Sequence, residues 1–364
     1  MQDGVFPGAV LAVRRAGGPP DIACAGRLSL SPSAPVVQPS TVYDLASLTK
    51  PLATVTGLAL LIQEGRCSLS DQAESILPSL AGSPAGSATL RDLLTHSSGL
   101  PGWRGYYERV SPTGVLPDSD AARREVQARV LALLSHEALI YPRGTRSLYS
   151  DLGFLLLGFV IEHLSGLPLN WFFETRVAVP LGVRWPRYIP VESHAGVLQE
   201  LAEEGGGVAP TEEDVWRGRL LCGEVHDENA AALGGVAGHA GLFGTAESVL
   251  AVSGAWLGAV AGRSSRLQTA LAGEFTARTA HVPGSSWALG WDTPSPPSSA
   301  GPLASARSFG HLGFTGTSLW IDPERELEVV LLSNRVHPTR KNDRIRTFRP
   351  VVHEMIWREY APAG

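Results

Sequence analysis

Apolar residues alternate with a period of two near both ends of this chain, while the long middle carries helical spacing. That arrangement restricts the fold more than any other feature. Residues 6–13 and 21–28 read as a hairpin closed by Gly17-Gly18-Pro19-Pro20. Far along the chain, residues 286–292, 305–311, 315–321 and 327–333 read as strands, with Asp322-Pro323-Glu324-Arg325 as a tight turn and 346–359 as a closing helix. Between them lie helical stretches at 120–136, at 151–165 (stopped by Gly166) and at 246–260. Strands at both ends with helices between predict an α+β fold. It is an α/β sandwich in which one antiparallel sheet is built from both termini and flanked by helices, with a mostly helical insertion. The expected parts are a sheet subdomain of 1–46 with 285–364 and a helical subdomain of 47–284, together one domain over 1–364.

Composition removes several classes of function. The 364 residues suffice for one large core or two joined ones. With 44% hydrophobic and 18% charged residues the chain is globular. A formal net charge of −5 gives no general attraction to nucleic acid or to an anionic membrane. The arginines between 335 and 349 are broken by Asp343 and by apolar residues and read as a solvated end segment. No apolar run reaches transmembrane length, and residues 1–13 lack a basic n-region and a cleavage site. The expectation is a soluble cytoplasmic chain, or a periplasmic or extracellular one if a signal has been removed. Cys24, Cys67 and Cys222 are widely spaced and suit buried thiols in a reducing compartment better than disulfides or a zinc site.

The chemistry centres on Ala46-Ser47-Leu48-Thr49-Lys50-Pro51. Leu52, Val55, Leu58, Ala59 and Ile62 recur behind it at helical spacing, Pro51 suits a first turn, Ser47 suits an N-cap and Gly65 a C-terminal stop. Ser47 and Lys50, three apart, share one helix face, so the amine reaches a hydroxyl that is a weak nucleophile until a base takes its proton. The same position places Ser47 at the positive end of a helix, where free N–H groups support a developing oxyanion. Tyr149-Ser150-Asp151 lies in a loop before an apolar helix, and His311-Leu312-Gly313-Phe314 on a late strand whose glycine admits a ligand close to the backbone.

In this order, Ser-x-x-Lys, Tyr-x-x and a basic residue-x-Gly resemble the serine β-lactamase and penicillin-binding-protein superfamily. The likeness is closest to the branch with Tyr in the second motif: class C β-lactamases, DD-peptidases and related esterases. Leu94-Thr95-His96-Ser97-Ser98-Gly99-Leu100-Pro101, residues 149–158 and residues 313–323 resemble recurring blocks of that family, so the likeness runs almost end to end. It implies Ser47 as nucleophile, Lys50 as its base or base partner, and Tyr149 as the relay to the leaving group. It also implies an oxyanion hole from the backbone N–H groups of Ser47 and Phe314, and substrate contacts from Asp151, His311, Leu312 and Gly313.

Two departures bear on the substrate. Asp151 stands where the family carries asparagine and adds a negative charge near Lys50. Leu312 stands where a hydroxyl residue helps hold a substrate carboxylate, and His311 replaces a lysine, which makes the field there pH-dependent. Both argue against efficient β-lactam or carboxy-terminal peptide recognition. The function implied is a serine hydrolase working through an acyl-enzyme on an ester or amide, an esterase or cell-wall-related amidase or peptidase before an efficient β-lactamase. The alternatives are a β-lactamase and an inactive sensor of cell-wall fragments. No metal or organic cofactor is expected, and the partner is a small ester, amide or cell-wall-derived molecule, not nucleic acid or membrane. His226, Asp227 and Glu228 read as a polar loop at a cleft rim rather than a metal site, since neighbours in sequence do not converge on one ion. His96 reads as a structural histidine. Trp287, Trp291 and Trp320 read as core, with an apolar acyl pocket as the other option.

Overall fold

A computed structural model describes residues 4–263 and 266–360. The two ends of the chain meet in a five-stranded antiparallel sheet whose order is Asp21–Gly26, Gly8–Arg15, Leu327–Ser333, Ser318–Asp322, Phe309–Leu312. The first long strand pairs with the last, Val10 opposite Leu332 and Ala12 opposite Val330.

Strand alternation explains why both faces are apolar. Val10, Ala12, Leu319, Ile321, Val330 and Leu332 face the main core, which includes Trp256 of the helix Ala246–Val260. Their neighbours Val13, Trp320, Leu327 and Val329 face the other way, onto Trp357 of the helix Ile345–Glu359. A strand covered on both faces reads as an unbroken apolar run, which is what residues 329–332 show.

The helix Asp151–Ser165 runs through the core. Ser150 Oγ caps it by accepting from Gly153 N at 3.2 Å, and Gly166 ends it at φ +73°. It is apolar almost all round because nearly its whole circumference is buried. Among the described residues no single helix is long and apolar enough to cross a membrane.

Several expected elements are shorter or different. Residues 286–292 are not a strand. Gly290 at φ +80° turns the chain back so that Trp287 and Asp292 bridge, and a side chain there would meet Val55 Cγ2 at 2.3 Å. The strand expected from 315 starts only at Ser318, because Gly313 to Gly316 make a turn, with Gly316 at φ +115°. Cys24, expected buried, is exposed on the edge strand Asp21–Gly26, while Cys67 is buried.

The glycine-rich stretch from Gly234 to Gly244 lies against the central helix. A Cβ on Gly238 would stand 2.2 Å from Phe154 O and 2.8 Å from Gly158 N, so only glycine fits. Gly258, in the helix Ala246–Val260, meets nothing within 4 Å. Gly238→Ala is therefore expected to cost about 2 kcal/mol or more through overpacking. Gly258→Ala should gain up to about 1 kcal/mol through helix propensity. Urea-unfolding midpoints of the two variants should move in opposite directions; a shared direction would mean that the contact at Gly238 relaxes freely.

Candidate active site

Asp44 fixes the chain just before Ser47. Its Oδ1 accepts from Ala46 N at 2.8 Å and its Oδ2 from His226 N at 2.7 Å. Thr315 Oγ1 donates to the carbonyl of Asp44 at 2.7 Å, and Thr317 Oγ1 to that of Leu45 at 3.0 Å, so the turn between two late strands grips the same segment. The backbone then passes through Ala46 at φ +47°, a left-handed conformation that costs a non-glycine residue about 1–3 kcal/mol. Ser47 follows in the short 3-10 turn Ala46–Leu48, which runs through the wide turn Lys50–Val55 into the α-helix Thr56–Gln63. The expected capping role of Ser47 is not found. The N-cap position is Leu45, with no side-chain cap, and Ser47 Oγ instead accepts from Lys50 Nζ at 3.1 Å.

Lys50 and Lys341 are the only lysines in the chain. Lys50 is 0% exposed. An ammonium has three N–H donors, and all three are used: on Ser47 Oγ, on Asp151 Oδ1 at 2.6 Å and on the carbonyl of His239 at 3.1 Å. Burial works to lower its pKa, but the Asp151 carboxylate, foremost, and Tyr149 outweigh burial and raise it. At rest Lys50 is thus an ammonium that donates to Ser47.

Tyr149 sits beside this group, its ring centroid 4.8 Å from Lys50 Nζ. Burial, joined by Asp151, raises the phenol's pKa, and Lys50 pulls against that without reversing it. Three rings hold the phenol in place: Trp287 stacked at 5.6 Å, His96 at 4.7 Å and His311 at 5.9 Å. His96 has the structural role expected of it, its Nδ1 accepting the N–H of Ser150 at 3.0 Å. Trp287 lines the cleft, whereas Trp291 and Trp320 are fully buried in the core.

His311 departs from expectation. It is 2% exposed, and burial, with Lys50 nearby, pushes its pKa down to about 3. Its Nδ1 donates to the carbonyl of Leu312 at 2.8 Å, which leaves Nε2 a bare acceptor without a partner among the described residues. This position is neutral through the physiological range, not a pH-dependent cation.

Positive charge comes instead from the arginines expected to be solvated. Arg335 and Arg349 are 7% and 6% exposed, line the cleft and hydrogen-bond only to carbonyl oxygens among the described residues. Arg349 donates to the carbonyls of Gly313 at 2.8 Å and Thr317 at 2.6 Å, and Arg335 to that of Phe314 at 2.8 Å. Burial and the neighbouring Arg335 lower Arg349 to about 9, so it stays charged at neutral pH. Because a trans peptide points its C=O and N–H in opposite directions, Arg349's hold on the Gly313 carbonyl aims the Phe314 N–H away from Arg349. Neither that N–H nor that of Ser47 has an acceptor among the described residues. Gly313 is needed for space, since a Cβ there would lie 1.9 Å from Thr317 Oγ1 and 2.6 Å from the Leu45 carbonyl.

Ser47, Tyr149, Asp151, His311, Leu312, Gly313 and Phe314 thus line one cleft of about 700 Å³, with Lys50 beneath it. The polar loop at its rim does diverge: His226 bonds Glu212 at 2.9 Å, Asp227 bonds His239 at 2.7 Å and Glu228 bonds Arg340 at 2.7 Å. Sequence reasoning missed His239 and the two arginines. The signal for His239 was its place among five glycines between 234 and 244, a density that marks close backbone approach.

A family model described as Beta-lactamase matches residues 1–352. The chain belongs to the Beta-lactamase family. It is 34% identical over 315 residues to a protein of Escherichia coli (strain K12) provisionally named a D-alanyl-D-alanine carboxypeptidase, covering 82% of this chain and 70% of that one. EstCE1, described as a hydrolase with promiscuous acyltransferase activity, shares the fold at TM-score 0.69 and 22% identity, over 96% of this chain and 95% of its own. A class C β-lactamase from Rhodobacter sphaeroides shares it at 0.66 and 22%, over 97% and 96%. As a member of the Beta-lactamase family, the protein is a serine hydrolase.

Asp151→Asn removes the carboxylate that holds Lys50 protonated. The Lys50-linked limb of the pH–rate profile is therefore expected at lower pH in this variant. His311→Gln should lower the rate yet leave the profile in place between about pH 5 and 8. Ester hydrolysis measured across that range checks both, and a displaced profile in His311→Gln would contradict the neutral histidine.

Proposed function

We propose that Ser47 is acylated by an ester or amide substrate and that the acyl-enzyme is then hydrolysed. The observation that carries this reading is the hydrogen bond from a fully buried Lys50 to Ser47 Oγ at 3.1 Å, with the Tyr149 ring 4.8 Å from the same ammonium. Lys50, protonated at rest, stabilises negative charge on the serine oxygen. Tyr149, once its own phenolic proton has been lost to solvent, takes the serine proton as a phenolate supported by Lys50 and passes it to the leaving group. The N–H groups of Ser47 and Phe314 receive the carbonyl oxygen as it becomes an oxyanion. The proton is easier to remove as pH rises, so acylation accelerates from neutral towards alkaline pH.

Within this class we favour an esterase or a cell-wall-related amidase or peptidase over an efficient β-lactamase. Leu312 offers no hydroxyl and His311 no charge, which weighs against β-lactams. Arg335 and Arg349, unpaired by carboxylates among the described residues, favour a substrate with a carboxylate of its own. These arginines supply the positive charge that Leu312 and His311 lack, which reverses the expectation against carboxy-terminal peptides. A peptide amide with a free carboxyl end fits them, and the carboxypeptidase name of the Escherichia coli relative agrees with it.

Intact-protein mass after exposure to a fluorophosphonate should show one adduct, mapped to Ser47, and Ser47→Ala should stay folded and take none. Acyl-dipeptides with a free carboxylate should be cleaved about tenfold to a hundredfold faster than their amidated counterparts, the worth of a hydrogen bond to a charged group. An adduct elsewhere, or full ester hydrolysis by folded Ser47→Ala, would sink the reading in favour of a binding protein. Equal rates on the two dipeptides would remove the carboxylate preference alone.

A further inference from the structure

The third N–H of Lys50 goes to a main-chain carbonyl, that of His239, and the side chain of this residue is tied to a second carboxylate. His239 Nε2 lies 2.7 Å from Asp227 Oδ1. The same oxygen accepts the N–H of Ala230 at 2.8 Å, as the N-cap of the helix Glu228–Ala232, so the anchor is itself held. His239 is 1% exposed, and its Nδ1 has no partner among the described residues. Both residues line the cleft together with Ser47.

A helix cap needs only Asp227 and explains nothing about His239. Gly238 packs against Phe154 and Gly158 on one side, and its carbonyl accepts Thr54 Oγ1 at 2.6 Å. The ring of His239, clamped to Asp227, fixes the next carbonyl, the one on Lys50. We propose that Asp227 and His239 are a positioning pair for Lys50, holding the His239 carbonyl on the ammonium and setting, with Asp151, how readily that ammonium releases its proton. The pair rests on the reading of Ser47 and Lys50 as reacting partners.

The groups facing Lys50 make its balance explicit. Asp151 and Tyr149 flank it from the start of the central helix, and His96 and His311 lie close enough to feel its charge. Phe154 presents its ring at 5.7 Å, and His239 with Asp227 closes the remaining side. Burial would raise the Asp227 carboxyl, but His239 first, then the Ala230 N–H and Lys50, draw it well below the carboxylate range. Asp227 is therefore a second fixed anion near Lys50. Both histidine rings on the opposite side are held neutral by burial and add no charge there.

With only two lysines in the chain, lysine labelled with 13C at Cε yields two side-chain signals, and Lys341→Arg identifies that of Lys50. Asp227→Asn keeps the cap, since asparagine caps as well as aspartate, and removes the charge. The Lys50 signal of this variant should begin to titrate about one pH unit lower than in the wild type. The pH dependence of Ser47 labelling by fluorophosphonate should move by the same amount. Superimposed titration curves would overturn the proposal and leave Asp227 as a helix cap. Should Asp227→Asn not fold, Asp227→Ser keeps a capping oxygen and carries the same test. A shifted Lys50 curve in a protein whose Ser47 takes no label would instead overturn the proposed function and leave the positioning pair standing.

Discussion

The architecture around the cleft depends on keeping one ammonium charge out of water. Taking such a group into the interior costs several kcal/mol unless every donor finds an acceptor. Lys50 finds them on three separate stretches of chain: the serine one turn before it, the carboxylate opening the central helix, and a carbonyl in the glycine-rich stretch. None of these can move without leaving a buried N–H unsatisfied. The burial that makes Lys50 expensive thus also makes Ser47, Asp151 and His239 a rigid unit.

Backbone geometry pays part of that cost. Ala46 is held left-handed by Asp44, whose two oxygens are both taken by main-chain N–H groups. Gly313 and Gly238 have no room for a side chain because carbonyls and hydroxyls crowd them. Strain and close approach gather around the cleft, whereas Gly258 and Gly273, in helices away from it, face open space.

Much of this was legible in the sequence, for physical reasons. Strand and helix periods differ, so the two-ended sheet and the helices at 151–165 and 246–260 could be read directly, as could the three-residue spacing that brings Lys50 to Ser47. What sequence could not supply was proximity between distant segments. Residues 286–292 alternate like a strand, yet one positive-φ glycine folds them back on themselves. Arg335 and Arg349 look solvated because they stand in a charged and polar run of the chain, but a turn and a helix set both guanidinium groups on backbone carbonyls. The neutrality of His311 follows from a depth of burial that no local pattern encodes. The carbonyl of His239 is a backbone atom, and no side-chain motif announces it.

The scarcity of lysine has a practical side. One of the two ε-amines is sealed beneath the cleft with all its hydrogens engaged, while Lys341 is exposed and adjoins Arg340, itself part of the cleft wall. Reagents that seek lysine amines meet a single accessible side chain. A dye or tether attached there stands at the mouth of the cleft at one defined attachment point, where it can report a molecule entering without touching Ser47 or Lys50.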